Sequence, residues 1–202
     1  MAKLLFSIGY AGFPNVNEFI QTLKRYGIQI LVDVRSDPYS HYYKCYNKDC
    51  LKQALVMHGI YYFNYARQFG ARQMDISLYK DGRLDFDLFS KSEQFLDGVQ
   101  KVEKSNAVIA FMCAEKHPMD CHRAILVTRA FSDRGHDIIH ILPNGRTLTQ
   151  KDLENDLLDA YYPSRAQESL FDQDRMTQND YIEAAYKLRN DEIGFKLEDL
   201  YK

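Results

Sequence analysis

This 202-residue sequence predicts an α/β fold: a mainly parallel sheet with helices on both faces, plus a helical C-terminal extension. Three observations lead there. Short apolar runs alternate with stretches of helical periodicity as far as Leu142, which is the signature of strand–helix crossovers. The runs at 28–34 and 107–112 are apolar almost throughout, as strands covered on both faces are. Gly27, Gly59 and Gly135 each follow a helical stretch and precede an apolar run, where a left-handed residue ends a helix.

The elements follow in order. Residues 4–8 form a first strand, stopped by Gly9. Asn15 stands three residues before Glu18, a capping pair, and Val16, Phe19, Ile20 and Leu23 follow at helical spacing. Residues 28–34 are the second strand. Asn47 is expected to cap a helix carrying Leu51, Ala54 and Leu55, and residues 60–65 are a third, tyrosine-rich strand. Asp85 opens a helical region with Phe86, Phe89, Phe95, Leu96, Val99 and Val102. Residues 107–112 are a strand, Asp120 is the expected cap of the next helix, and 137–142 close the sheet. Asn144-Gly145 marks a change of pattern, which places a division between residues 1–145 and an extension, 146–202. In the extension, 149–160 reads as a helix, 163–180 as a polar linker and 181–189 as a terminal helix.

Composition excludes several classes. With 46% hydrophobic and 27% charged residues, the chain is neither disordered, collagen-like nor a coiled coil. No apolar run reaches the ~18 residues of a membrane span, so no membrane partner is expected. Residues 1–12 lack the basic and apolar regions of a secretory signal, and Cys45, Cys50, Cys113 and Cys121 are expected as free thiols of a cytoplasmic protein. The net charge of −2 hides an asymmetry: residues 151–202 carry 13 acidic and 7 basic side chains, so the body is basic. A basic body permits an anionic ligand.

Parallel sheets bind ligands beyond the carboxyl ends of their strands, and the reactive residues stand there. The strongest element runs from Met112 to Arg123. In it Cys113 ends a strand, Glu115 and His117 lie in a loop, and Cys121, His122 and Arg123 open a helix. A helix N-terminus favours anions and thiolates, and an Arg adds a bidentate grip. Asp33 and Arg35 end the second strand, Asp33 as a candidate base or as the group that orients Arg35, and Arg35 as a candidate anion ligand. Ser7, Gly9 and Tyr10 end the first, where glycine lets backbone approach a ligand closely. Ser40, Arg67 and Arg72 lie in a basic stretch with Tyr39, Tyr42, Tyr43, Tyr46, Tyr61, Tyr62 and Tyr65, and aromatics among cations can hold single strands or flipped bases. Cys113, Cys121, His122 and His117 are metal-capable, but there is no C-x-x-C pair and no H-E-x-x-H. The sequence reading therefore assigns no metal and identifies no cofactor.

Taken together, Ser-Ile-Gly at 7–9, Val-Asp-Val-Arg-Ser-x-Pro-x-Ser at 32–40, Gly-Ile-x-Tyr at 59–62, Gly-x-Arg at 70–72 and Met-Cys-Ala-Glu-x-x-Pro-x-x-Cys-His-Arg at 112–123 resemble a bacterial and archaeal family, domain of unknown function 488. The resemblance spans roughly residues 3–145 and includes His140-Ile141. It departs at His41, where another Arg is expected, and at Phe69-Gly70-Ala71, where Leu-Gly-Gly is expected. The resemblance implies a fold and a site but no reaction. A looser likeness links the chain to rhodanese and tyrosine-phosphatase-like domains, whose tight C-x5-R loop is replaced here by nine residues between Cys113 and Arg123.

The expected site therefore holds Asp33, Glu115, Cys113, Cys121 and His122 as catalytic candidates. Ser7, Gly9, Tyr10, Arg35, Ser40, Arg67, Arg72 and Arg123 are the anion-binding candidates, with Arg35 and Arg123 expected to converge. The expected ligand bears phosphate, as a nucleotide or a nucleic-acid end. Acid/base enzyme, non-catalytic nucleic-acid adaptor and thiol enzyme remain the alternatives. In the linker, Gln167, Ser169, Leu170 and Phe171 resemble the pentapeptide by which bacterial replication and repair proteins dock on the DNA sliding clamp, which makes that clamp an expected partner.

Overall fold

A computed structural model describes residues 2–164 and 176–201. The expected clamp-docking residues Gln167, Ser169, Leu170 and Phe171 lie outside them. Six strands form the main sheet: β1 (Leu4–Gly9), β2 (Ile30–Asp33), β3 (Tyr61–Asn64), β6 (Ile109–Cys113), β7 (Asp137–Ile141) and β8 (Thr147–Thr149), in the order β3-β2-β6-β1-β7-β8. The first five are parallel, and β8 turns back antiparallel on β7 through a turn in which Gly145 has φ +78°. Sequence reading missed β8. It also missed the small hairpin of β4 (Tyr79–Lys80) and β5 (Arg83–Leu84), elements too short to show a period.

Helices cover both faces. On one lie α1 (Val16–Arg25), through Phe19, Ile20 and Leu23, and α2 (Lys48–Val56), through Leu51 and Leu55; they meet Phe6, Ile8, Leu31, Ala110 and Met112 of the sheet. On the other lie the short α3 (Ala66–Phe69), α4 (Phe86–Ser90), α5 (Glu93–Lys104), α6 (Arg129–Ser132), α7 (Gln150–Tyr161) and α8 (Gln178–Ile193). The extension is thus part of the interior: Leu153, Leu157, Ala185 and Tyr186 share one core with Phe111 and Phe131. No helix of the described residues is long and apolar enough to cross a membrane.

The caps are partly as expected. Asn15 accepts the Glu18 N–H at 2.9 Å. Asp85 caps α4, but Ser92 then caps a separate α5, so that region is two helices. Asn47 begins α2 without a capping bond of its own, because its side chain accepts the Ser40 N–H at 2.6 Å. α8 starts three residues before the expected helix, at a Thr177–Asp180 capping box.

The helix after the Cys-His-Arg triplet differs most. Asp120 does not cap it. It belongs to a 3₁₀ turn, Pro118–Asp120, and pairs with Arg189 of α8. Residues Arg123–Thr128 then wind as a π-helix, all six buried, before α6. The Ala124 carbonyl is met by the Gln150 amide at 3.2 Å and the Thr128 hydroxyl at 3.4 Å. Side chains that insert into the ladder in this way loosen a helix into the wider form.

This topology places the site. The chain leaving β1 travels past β6 to reach β2, while the chain leaving β6 travels past β1 to reach β7. The two connections therefore cross above the β1–β6 seam on their way to opposite faces of the sheet, α1 on one and the π-helix on the other, where Gly9 is registered with Cys113 and, one strand over, Asp33 with Met112. Connections that leave neighbouring strands for opposite faces open a crevice at the carboxyl edge.

Candidate functional site

The crevice is a pocket of about 370 Å³ lined by residues from all three strand ends, among them Tyr10, Arg35, Ser36, Ser40, Cys113, Glu115, Cys121 and His122. Ile193 and Phe195, from the end of the extension, complete its rim, a contribution that no sequence pattern announced.

Asp33 is fully buried and is occupied as an anchor, not free as a base. Its carboxylate accepts Arg35 Nε at 2.9 Å, Arg35 Nη2 at 2.6 Å, the Arg35 backbone N–H at 3.0 Å and the Tyr62 hydroxyl at 2.5 Å. A carboxylate taken out of water needs this saturation. Arg35 also donates to the Tyr46 carbonyl at 2.9 Å. Burial pulls its pKa down, but the hydrogen bond and charge of Asp33 more than offset that, so it stays a fixed cation. Its Nη1 is the least engaged nitrogen, 3.5 Å from the Tyr10 hydroxyl on the pocket wall. Tyr10 is held by stacking on Tyr46 at 4.3 Å, and Ser40 accepts the Tyr43 N–H at 3.1 Å.

Arg123 does not converge with Arg35 on the pocket. It is 0% exposed, donates from Nη1 to the Glu115 carbonyl at 2.7 Å, and points Nη2 at the Lys116 carbonyl at 3.4 Å. It pins the loop after β6, with Nε unpartnered. That loop lies directly on Gly9: a Cβ there would stand 1.8 Å from the Glu115 oxygen. The close approach read into Gly9 is thus made by the protein's own backbone.

The other anion candidates scatter. Ser7 is buried below the crevice, its Oγ 2.7 Å from His140 Nδ1. His140 Nε2 faces Gln150 Oε1 at 3.0 Å, and the Gln150 amide donates to the Tyr186 hydroxyl at 2.8 Å, a buried polar chain from β1 to α8. Burial, helped by the Arg123 charge, lowers the His140 pKa to about 3, so the ring is neutral. Arg67 lines a separate groove with Asp75 and Asp97. Arg72 lies over the Phe195 ring and donates to the Leu200 carbonyl.

The remaining catalytic candidates do come together. Cys121 Sγ is 2.8 Å from Glu115 Oε2, and both Cys113 Sγ and Cys121 Sγ face His122 Nδ1, at 4.0 and 3.9 Å. The far ring nitrogen of His122 donates to the Val34 carbonyl at 2.9 Å, which leaves Nδ1 as the nitrogen with a lone pair toward the sulfurs. The hydrogen bond to Cys121 and burial raise the Cys113 thiol. Burial also pushes Cys121 up, but the Cys113 hydrogen bond, the Arg123 charge and His122 outweigh it and bring it down. Desolvation of the carboxyl among its neighbours and the nearby Cys121 raise Glu115, although the residue itself is exposed at the pocket. Burial pulls His122 down, and its contact with Cys121 more than restores it. His117, the fourth metal-capable residue, is turned away and accepts the Met119 N–H.

No curated protein and no solved structure matches this chain. A family model does, over residues 15–130, more than half of the chain, and its span takes in the Asp33–Arg35 anchor and the whole Cys113–Arg123 loop. On that match the chain belongs to the family described as Domain of unknown function DUF488.

Proposed function

We propose that the protein is a hydrolase-like enzyme acting by proton transfer on a phosphate-bearing ligand, a nucleotide or a nucleic-acid end, held in the carboxyl-edge pocket. The observation that carries this reading is that Glu115, a carboxyl with a raised pKa, and Arg35, a rigidly held cation, line one pocket from different strands. A carboxyl whose pKa is raised above its ordinary value holds a proton more readily and is the better placed to pass one on. Arg35 Nη1, the Tyr10 hydroxyl and the Ser36 and Ser40 hydroxyls supply the donors for an anionic group. Tyr39 on the rim, with Tyr42 and Tyr43 beyond it, is exposed and offers faces on which a base can stack. Cys113 and Cys121 are 3% and 1% exposed, which argues against either thiol as the attacking group and favours Glu115 for the proton work. The clamp-like peptide in the linker supports a setting at replicating or repaired DNA.

The test uses the full chain and a short 5′-phosphorylated thymidine strand, with the 5′-hydroxyl strand as reference. The phosphorylated strand is expected to bind at least tenfold more tightly, about 1.4 kcal/mol. Tyr10→Phe combined with Ser40→Ala removes most of that preference, while Arg67→Ala, in the separate groove, leaves it intact. Equal binding of the two strands, or none, refutes the reading.

A further inference from the structure

We propose that Cys113, Cys121 and His122 form a binding site for one thiophilic divalent cation of the zinc class, with the fourth position open toward Glu115 and the pocket. This rests on the reading of the pocket as the functional site and adds the cofactor that reading lacks.

The geometry carries it. The two sulfurs and Nδ1 lie within 4.8 Å of one another, and each sulfur is 3.9–4.0 Å from the nitrogen. A tetrahedral zinc with ordinary bond lengths needs about 3.6 Å between a sulfur and a nitrogen ligand and about 3.8 Å between two sulfurs, so each sulfur closes on the nitrogen by a few tenths of an ångström and the two sulfurs close on each other by up to about 1 Å. The donors are also oriented. The His122 ring is fixed by its bond to the Val34 carbonyl; a metal-bound histidine is usually held in this way, with the outer nitrogen donating and the inner one facing the metal. Cys113 is held by the sheet and Cys121 by the Pro118 carbonyl through its N–H at 3.1 Å. The three ligands thus come preorganised from a strand end and the turn before the π-helix.

The chemistry selects the metal. Two sulfurs and one imidazole suit zinc and exclude calcium or magnesium, which prefer all-oxygen shells. Uptake of the cation releases the thiol protons still present on the pair to solvent. Three protein ligands with a fourth position open are the arrangement of catalytic sites, whereas structural zinc sites are closed by a fourth side chain. Glu115 Oε2, now 2.8 Å from Cys121 Sγ, stands where it can accept a proton from whatever fills that position. Seven and eight residues separate Cys113 from Cys121 and His122, outside the short spacings by which zinc ligands are recognised, so the sequence marks them as metal-capable without marking a site.

The experiment uses the full chain in a Cys45→Ser/Cys50→Ser background, which removes the two exposed thiols. The protein is stripped with chelator under reducing conditions and titrated with Co²⁺. The expected result is one Co²⁺ per chain, a near-ultraviolet thiolate-to-cobalt absorption, visible bands of tetrahedral intensity, and displacement by Zn²⁺. Cys121→Ser abolishes the charge-transfer band or weakens Co²⁺ binding at least tenfold. If that variant fails to fold, His122→Ala, which leaves both sulfurs in place, weakens Co²⁺ binding at least tenfold and shifts the visible bands. No charge-transfer band, or a band unchanged by these substitutions, overturns the proposal. The titration needs no substrate, so the two readings fail separately. Phosphate-selective binding without cobalt binding removes the metal alone, and cobalt binding without phosphate selectivity removes the ligand assignment alone.

Discussion

Replacing Gly9 with alanine tests how the site is built. The new methyl would lie 1.8 Å from the Glu115 carbonyl oxygen and 3.0 Å from Arg123 Nη2. Neither neighbour is a flexible tip: one is backbone, and the other is a fully buried guanidinium. Relief requires the loop to lift by more than 1 Å, from 1.8 Å to at least the 3.0 Å below which real Cβ contacts essentially never fall. That motion breaks the 2.7 Å bond from Arg123 to the Glu115 carbonyl. A hydrogen bond to a charged group contributes about 1.5–3 kcal/mol, and overpacking adds about 1–3 kcal/mol. The expected loss is about 3–5 kcal/mol, or roughly 10 °C in Tm for a domain of this size. Gly27→Ala is the control. Its φ of +67° strains any side chain, but nothing lies within 4 Å, so it should cost about 1–2 kcal/mol. The assay is thermal and urea unfolding, with iodoacetamide labelling of Cys121 as a local readout that should speed up as the loop lifts. A Gly9→Ala protein as stable as the Gly27→Ala control, with Cys121 labelling unchanged, would refute the account.

Four further outcomes are expected. His140, with a pKa lowered from 6.5 to about 3 in the fold, makes stability complete above pH 6.5 and progressively lost as pH falls toward 3, by about 1.4 kcal/mol per pH unit at most. His140→Gln should flatten that part of the pH–stability curve, and an unchanged slope sinks the assignment. Tyr62→Phe strips one hydrogen bond from the buried Asp33 carboxylate and should cost about 1–3 kcal/mol in urea unfolding; a neutral result would mean that Asp33 does not depend on it. Intact mass after alkylation under non-reducing conditions should find four free thiols, with Cys45 and Cys50 modified long before the buried Cys113 and Cys121. A peptide spanning Arg165 to Asp174 should bind the source organism's sliding clamp in the micromolar range and lose binding when Leu170 and Phe171 are both alanine; no difference between the two peptides rejects the motif.

What sequence could tell about this molecule depended on distance along the chain. The strand–helix alternation was readable because each period repeats within a dozen residues, and Asn15 and Asp85 cap because their partners are three residues away. The gathering of Glu115, Cys121 and His122 was also visible, since they share one short loop. That Arg123 reaches carbonyls of a loop folded back over Gly9 was not legible, because no spacing shows where a loop folds. Asp33 could be read either as a base or as the orienter of Arg35, because Tyr62, its third partner, arrives from a strand 29 residues away and shows only in the fold. The π-helix was invisible for the same reason: the Gln150 amide that meets its Ala124 carbonyl belongs to another element.

The match to residues 15–130 and the architecture of the sheet divide the chain differently, and this matters to anyone who cuts it. β1, with partners on both sides, lies wholly before the matched segment, and β7, α7 and α8 lie wholly after it. A fragment trimmed to that segment would lose the strand that seats Cys113 through Gly9, bare the flank of β6, and strip the cover from Phe111 and Phe131. The family motif is therefore a pattern of inheritance, not an excisable module. Because Ile193 and Phe195 edge the same pocket, mutation in the tail can reshape the mouth of the site while every signature residue stays in place.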